Sequence, residues 1–345
     1  MMTELKEERP NEYKDTSEYK DTSECPRVPD FEQMKVSTKT IIAVTNMKFN
    51  LTSLYRYLPI TEYYVVKKKR GRKSNKEVIN PNKHIPVGSI ISVQNKTNVR
   101  GVILKAKRKE SKTYFLNSVT VVMVLDGGKL VNLKISHNGK LQMTGCKNDG
   151  QFITSLQYMY QHMKNSERWS GQKMFSLKDP QSINPKIIFK VVMKNIDFNL
   201  GFPVQRDNLD WFFKKRREIA EPSLDNSGEL IQSNDFISLF ESPVNTGVNI
   251  KIKSSQPFDL ELTCVELLEN GQTKISSVPH TMYYSYTDEI EKKREPKKIK
   301  FITFLIFSSG SVIMSGAGPL MKPIYYKFME ILLSNRKEYE EVVEK

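Results

Sequence analysis

Cysteine is scarce in this 345-residue sequence: Cys25, Cys146 and Cys264 are the three, far apart and odd in number. They supply neither a disulfide framework nor metal-ligand spacing, a usage that suggests a reducing compartment. Histidine is equally thin. His84, His137, His162 and His280 are scattered, with no cysteine or carboxylate partner at metal-ligand spacing. No long apolar run exists and the mean hydropathy is −0.49, which argues against a membrane span. The opening residues, MMTELKEERP, are polar and have no apolar core of a secretory signal. Nucleophile elbows and phosphate-binding glycine loops are missing too, and Gly127-Gly128 and Ser309-Gly310 read as hairpin turns. The expectation is a binding protein, not an enzyme, with no metal and no cofactor.

Positive charge is plentiful. Lys and Arg number 54 against 39 Asp and Glu, a net +15, with a pI near 9.4. A balance of that size favours polyanions through counterion release, although a generic lysine-rich surface gives the same count. The densest run, KKKRGRK at Lys67–Lys73, has three readings: a flexible arm on phosphates, a nuclear-import signal, or a solvated loop. The 38% hydrophobic fraction suffices for one large or two small cores.

The chain is organised around Phe301 to Pro319, FITFLIFSSGSVIMSGAGP. It reads as strands Ile302–Ser308 and Ser311–Ser315 joined at Ser309-Gly310, followed by a helical stripe of Ile324, Phe328, Ile331 and Leu332. Leu130 to Lys147 has the same design, with Gly139 opposite Gly310 and Gly145 opposite Gly316. Phe152, Leu156, Met159 and Met163 then mark a second stripe. Phe49-Asn50-Leu51 matches Phe198-Asn199-Leu200, and Phe115 before Val119–Leu125 matches Phe258 before Leu260–Leu267. The order is shared, so the sequence predicts two diverged copies of one sheet-plus-helix unit.

LIFSSGSVIMSGAG, Leu305 to Gly318, resembles the last strand pair of the TATA-box-binding protein family, and GFPVQRDNL, Gly201 to Leu209, resembles its KFPI stretch. The resemblance covers roughly residues 38–165 and 185–335 and is similar to divergent versions that large DNA viruses carry. It implies an α+β fold: two pseudo-symmetric repeats forming a curved antiparallel sheet, a saddle, with helices on the convex face. Residues two apart in a strand share a face, and in the family that concave face lies on the DNA minor groove. Carried over, Phe307 matches the phenylalanine wedge of the last strand pair, and Phe258 and Phe115 match loop wedges. Leu305 and Ile313 share the wedge face, and Ser315 and Thr144 match the threonine of the TGA run. In the first repeat the strand wedge falls on Ser136, Lys134 stands two before it, and Gln142 replaces a valine. Lys134, Lys140 and the basic loops would contact phosphates. Arg70 and Arg72 resemble an arginine-glycine-arginine core that lies in AT-rich minor grooves. The family's first-strand asparagines find no match, since Met193 aligns in the second repeat.

The expected layout is a disordered charged tail over 1–36, with EYKDTS at 12–17 repeated at 18–23, and a first repeat over 37–165 with a basic insertion at 61–86. A linker over 166–184, a second repeat over 185–338 with a solvated insertion at 268–298, and a charged end over 339–345 follow. The resemblance implies a transcription initiation factor that binds AT-rich promoter double-stranded DNA, bends it, and recruits a factor-IIB-like protein and RNA polymerase. It would act as a monomer in the nucleus or a cytoplasmic viral factory, without a membrane partner. The alternative is a protein-interaction scaffold of the same fold that has lost specific DNA binding.

Overall fold

The computed structural model describes residues 28–65, 81–104, 117–219, 236–240, 247–254, 261–287, 289–294 and 300–341. Their centre is a pair of long antiparallel strands, β1 (Val36–Thr45) and β9 (Lys186–Asn199), paired from Val36 opposite Ile196 to Thr45 opposite Ile187 with register shifts between Val36 and Thr38 and between Thr40 and Ile41. Outward from β1 lie β7 (Lys140–Cys146), β6 (Lys129–Ser136), β5 (Ser118–Leu125), β3 (Ile90–Asn95) and β4 (Asn98–Gly101). Outward from β9 lie β15 (Ser311–Gly316), β14 (Lys300–Phe307), β11 (Gly247–Ser254) and β10 (Ile237–Leu239). Each pairing is antiparallel. A hairpin of β12 (Leu262–Leu267) and β13 (Thr273–Val278) joins the same sheet along the first residues of β9. Two short strands, β2 (Met47–Phe49) and β8 (Phe175–Leu177), pair separately.

Alternation decides which side is covered. Ile302, Phe304 and Ile306 of β14 and Val312 and Met314 of β15 are buried. They pack with α3 (Arg206–Ile219) and α6 (Met321–Ser334) through Leu209, Phe213, Phe328 and Leu332. Phe304 stacks on Phe328 with ring centroids 3.8 Å apart. In the other half, Ile41, Leu133 and Met143 meet α1 (Leu51–Tyr57) and α2 (Asp149–Ser170) through Leu54, Phe152, Leu156 and Met163. Both helical stripes expected from sequence therefore lie on one side of one sheet.

Local chemistry places these helices. Asn50 and Asn148 cap α1 and α2, their side chains accepting the amides of Ser53 at 3.1 Å and Gln151 at 2.9 Å. Gly171, at φ 68°, closes α2 in the left-handed region. The two hairpin turns share one device: Gly139 and Gly310 have φ of 91° and 77°. A Cβ would drive into the Met47 carbonyl at the first and the Phe202 carbonyl at the second.

Several boundaries differ from the sequence reading. The fold begins ahead of residue 37: Tyr325 donates to the Pro29 carbonyl at 2.9 Å, and Phe31 lies against its ring. The covering helix runs on to Ser170, into the expected linker, because Ser166 is buried and donates to the Tyr57 carbonyl. The charged end is not all surface: Tyr339 is fully buried and donates to the Leu332 carbonyl. The strand expected at 258–267 is β12, paired with β9 and β13, and the neighbour of β14 is β11. The tail over 1–27 lies outside the described residues.

Candidate nucleic-acid interface

The side of the sheet opposite the helices carries the sequence-derived site. Thr303, Leu305 and Phe307 alternate with the buried β14 residues and are half-buried on this face, as are Ser311, Ile313 and Ser315 on β15. Phe307 is thus not a core residue. Directly opposite it on β11 is Gly247, which leaves one flank of the ring without a side-chain neighbour in that strand. A Cβ at 247 would approach the Ile306 carbonyl at 2.8 Å, so the gap is built into the backbone packing.

Rows of directly opposed residues cross the face. In the second half one runs Asn249, Leu305, Ile313, Asp197, and the next runs Lys251, Thr303, Ser315, Asn195. Ser315 donates to the Asn195 side-chain carbonyl at 3.0 Å, and the Asn199 amide donates to the Ser311 hydroxyl at 3.3 Å. In the first half one row runs Thr120, Lys134, Gln142, Ile42, Lys190, and another runs Asn132, Thr144, Thr40, Met193. Lys140 stands opposite Val44, and Ser136 opposite Ser118. Partial burial in this row pulls the Lys134 ammonium below its ordinary pKa through desolvation. The structure therefore gathers Lys134, Ser136, Lys140, Gln142, Thr144, Leu305, Phe307, Ile313 and Ser315 on one face. Arg70, Arg72, Phe115 and Phe258 lie outside the described residues.

The halves are unequal. Where the second half pairs Phe307 with Gly247, the first pairs Ser136 with Ser118. By strand pairing β11 holds beside β14 the place that β5 holds beside β6, so β12, matched to β5 in the sequence, is not its counterpart. The sequence match had followed strand composition, which the inserted hairpin imitates.

Two features of the face escaped the sequence reading. Asn195 lies on it beside Ser315, two residues from the aligned Met193; a register shift between Thr40 and Ile41 obscured this. Period-two spacing of Asn195, Asp197 and Asn199 was the available signal. Second, the insertion expected to be a solvated excursion covers part of the face. Tyr283 of α4 (His280–Ser285) is buried against Val44, Ile188, Leu262 and Cys264. The Lys190 ammonium sits 4.1 Å from its ring centroid. Lys178 ties the segment down, donating to the carbonyls of Thr45 at 2.8 Å and Tyr286 at 3.2 Å. At the outer edge of the first half, Tyr63 and Ile85 cover Val122 and Val124 in the same way.

Over 124 residues the sequence is 34% identical to a TATA-box-binding protein-like protein of Acanthamoeba polyphaga mimivirus, a match covering 34% of each chain. Over that stretch, about a third of its length, the chain is similar to this viral TATA-box-binding protein-like protein. A longer match, 28% identical over 245 residues, is to the uncharacterized protein 335L of Invertebrate iridescent virus 6, covering 67% of this chain and 64% of that one. The chain thus spans less than two thirds of the length of these curated relatives. Methanococcus jannaschii TBP superposes with a TM-score of 0.37 at 13% identity, covering 90% of this chain and 99% of that one. No protein-family model matches. The described residues contain no group of three or more metal-binding side chains and no helix long and apolar enough to cross a membrane.

Proposed function

We propose that this protein is a transcription initiation factor that lays the sheet face opposite α1, α2, α3 and α6 in the minor groove of AT-rich promoter DNA and bends it. The observation that carries the reading is Phe307: a large aromatic on that face, flanked by Gly247, within the stretch that resembles the family's wedge strand. A minor groove offers few distinguishing donors and acceptors, so shape and deformability carry recognition, and an apolar face suits that task. Leu305 and Ile313 supply apolar contact, and Ser315, Thr144 and Asn195 supply small hydrogen-bonding groups at the scale of base edges. Lys134, Lys140, Lys251 and Lys253 supply phosphate contacts. The paired strand orders on either side of β1–β9 support a saddle built from two diverged repeats. The protein acts as a monomer and recruits a factor-IIB-like protein and RNA polymerase, in the nucleus or a cytoplasmic factory.

Selection from a pool of random duplexes at moderate salt tests this. Enrichment of an AT-rich motif is the expected result, and no retention of any duplex sinks it. One observation favours a second reading, a protein-docking scaffold: Tyr283 and α4 already occupy Val44 and Ile188 on the same face, and Asp197 adds a carboxylate there. A scaffold would retain no duplex in this selection.

A further inference from the structure

A cleft of 1220 Å³ opens at the β6–β7 turn, at the edge of the sheet face, with which it shares Ser118, Ser136 and Lys140. Its rim carries Lys48, Lys140, Lys173 and His137, and its walls include Phe49 and half-buried Phe175. No carboxylate lines it among the described residues. Ser118 also lines it; this residue is 7% exposed, and its hydroxyl has no hydrogen-bond partner among the described residues. A buried hydroxyl in that state calls for an acceptor. The cleft thus combines cationic rim, apolar wall and an unused donor, which fits a carboxylate-rich peptide bearing an aromatic ring. A phosphate backbone would leave the apolar wall without a partner.

We propose that the occupant is the chain's own segment 12–24, EYKDTSEYKDTSE. It holds five carboxylates and two lysines, a net charge of −3, and places Tyr13 and Tyr19 next to Glu12 and Glu18. Charge and apolar character match the cleft on both counts. Reach is sufficient. The chain enters the fold at Val28–Phe31 against α6, and β1 leads from there to β2 at the cleft over about 33 Å. For the first copy, 12–17, the 11 residues from 17 to 27 extend up to about 38 Å. Tethering gives the segment an effective concentration on the order of millimolar, so weak intrinsic affinity is enough to hold it. The first copy, 12–17, then takes the seat, and the second, 18–23, spans the way to it.

Cys25 gives the test a handle, because Cys146 and Cys264 are buried, at 0% and 6% exposure. A dye on Cys25 of the full chain reports the mobility of the tail through fluorescence anisotropy. Lys48→Glu with Lys173→Glu, both exposed and outside the core, should lower the anisotropy to the value reached in high salt. Glu12→Gln, Asp15→Asn, Glu18→Gln and Asp21→Asn together should do the same without touching the folded body. Lys251→Glu with Lys253→Glu on the sheet face should leave it unchanged. Unchanged anisotropy in both the cleft and the tail variants overturns the proposal, as does an equal fall in the sheet-face control. Loss of duplex binding by the cleft variants with tail anisotropy intact overturns it too, and makes the cleft a phosphate seat.

Discussion

At the scale of single residues, one alternation in β14 separates fold from function. Phe304 and Phe307 are three positions apart, yet one is a fully buried partner of Phe328 and the other belongs to the opposite face of the sheet. Phe304→Ala should therefore cost about 3–5 kcal/mol in chemical denaturation. Phe307→Ala should leave the denaturation midpoint near its original place and cost at least about 1 kcal/mol in duplex binding. End-to-end fluorescence transfer on the bound duplex should show a larger loss of bending for Phe307→Ala than for Ser136→Ala; equal, negligible effects would count against a wedge. Much of this was legible, because period-two alternation and the LIFSSG run fix the face of Phe307. Asn195 was not, since a register shift is a property of two strands meeting and leaves no mark on either alone. A third residue reports on the core. Burial pushes the Cys146 thiol from 9.0 up to about 11. Its folded pKa lies above the unfolded one, so its contribution is complete below pH 9 and is lost as pH rises through 11. Urea midpoints should fall over that window more steeply for the native chain than for Cys146→Ala.

At the scale of elements, the inserted hairpin and α4 set the usable size of the face. Sequence composition gave the 268–298 stretch a mixed, solvated character, and most of β13 is indeed exposed. The misreading came from one residue, Tyr283, whose burial depends on Val44 and Ile188, which lie far away in the chain. Long-range coverage of that kind has no local pattern. If α4 only narrows the face, Tyr283→Ala should release it: amides of 280–287 exchange faster, the global denaturation midpoint moves little, and duplex affinity rises several-fold. A fall in affinity with the same exchange result would instead make α4 part of the contact surface. The covering helices present the opposite case. Their stripes were readable because each lies within a single element, whereas the extension of α2 to Ser170 rests on Ser166 meeting Tyr57, again a contact between distant segments.

At the scale of the whole molecule, net charge and the unequal halves have to be weighed together. A surplus of +15 alone would bind any polyanion. What distinguishes a promoter-reading face is that part of the affinity must survive salt. Lys134, Lys140, Lys251 and Lys253 are the four lysines argued here to meet phosphates, which corresponds to a slope of log affinity against log salt of about −4. The basic run Lys67–Lys73 can only steepen it. Lys140→Ala should reduce the magnitude of the slope by about 1 and weaken AT-rich and GC-rich duplexes alike. Phe307→Ala should do the reverse, leaving the slope unchanged while narrowing the gap between the two duplexes, because unstacking a base step costs less in deformable AT-rich sequence. With Phe307 opposite Gly247 in one half and Ser136 opposite Ser118 in the other, that narrowing should be confined to one end of the selected motif. Substituting the motif one end at a time, and measuring binding of both variants at two salt concentrations, separates the two effects. A symmetrical response to Phe307→Ala would show that the two halves read DNA equally, and the residue inequality on the face would then have no counterpart in recognition.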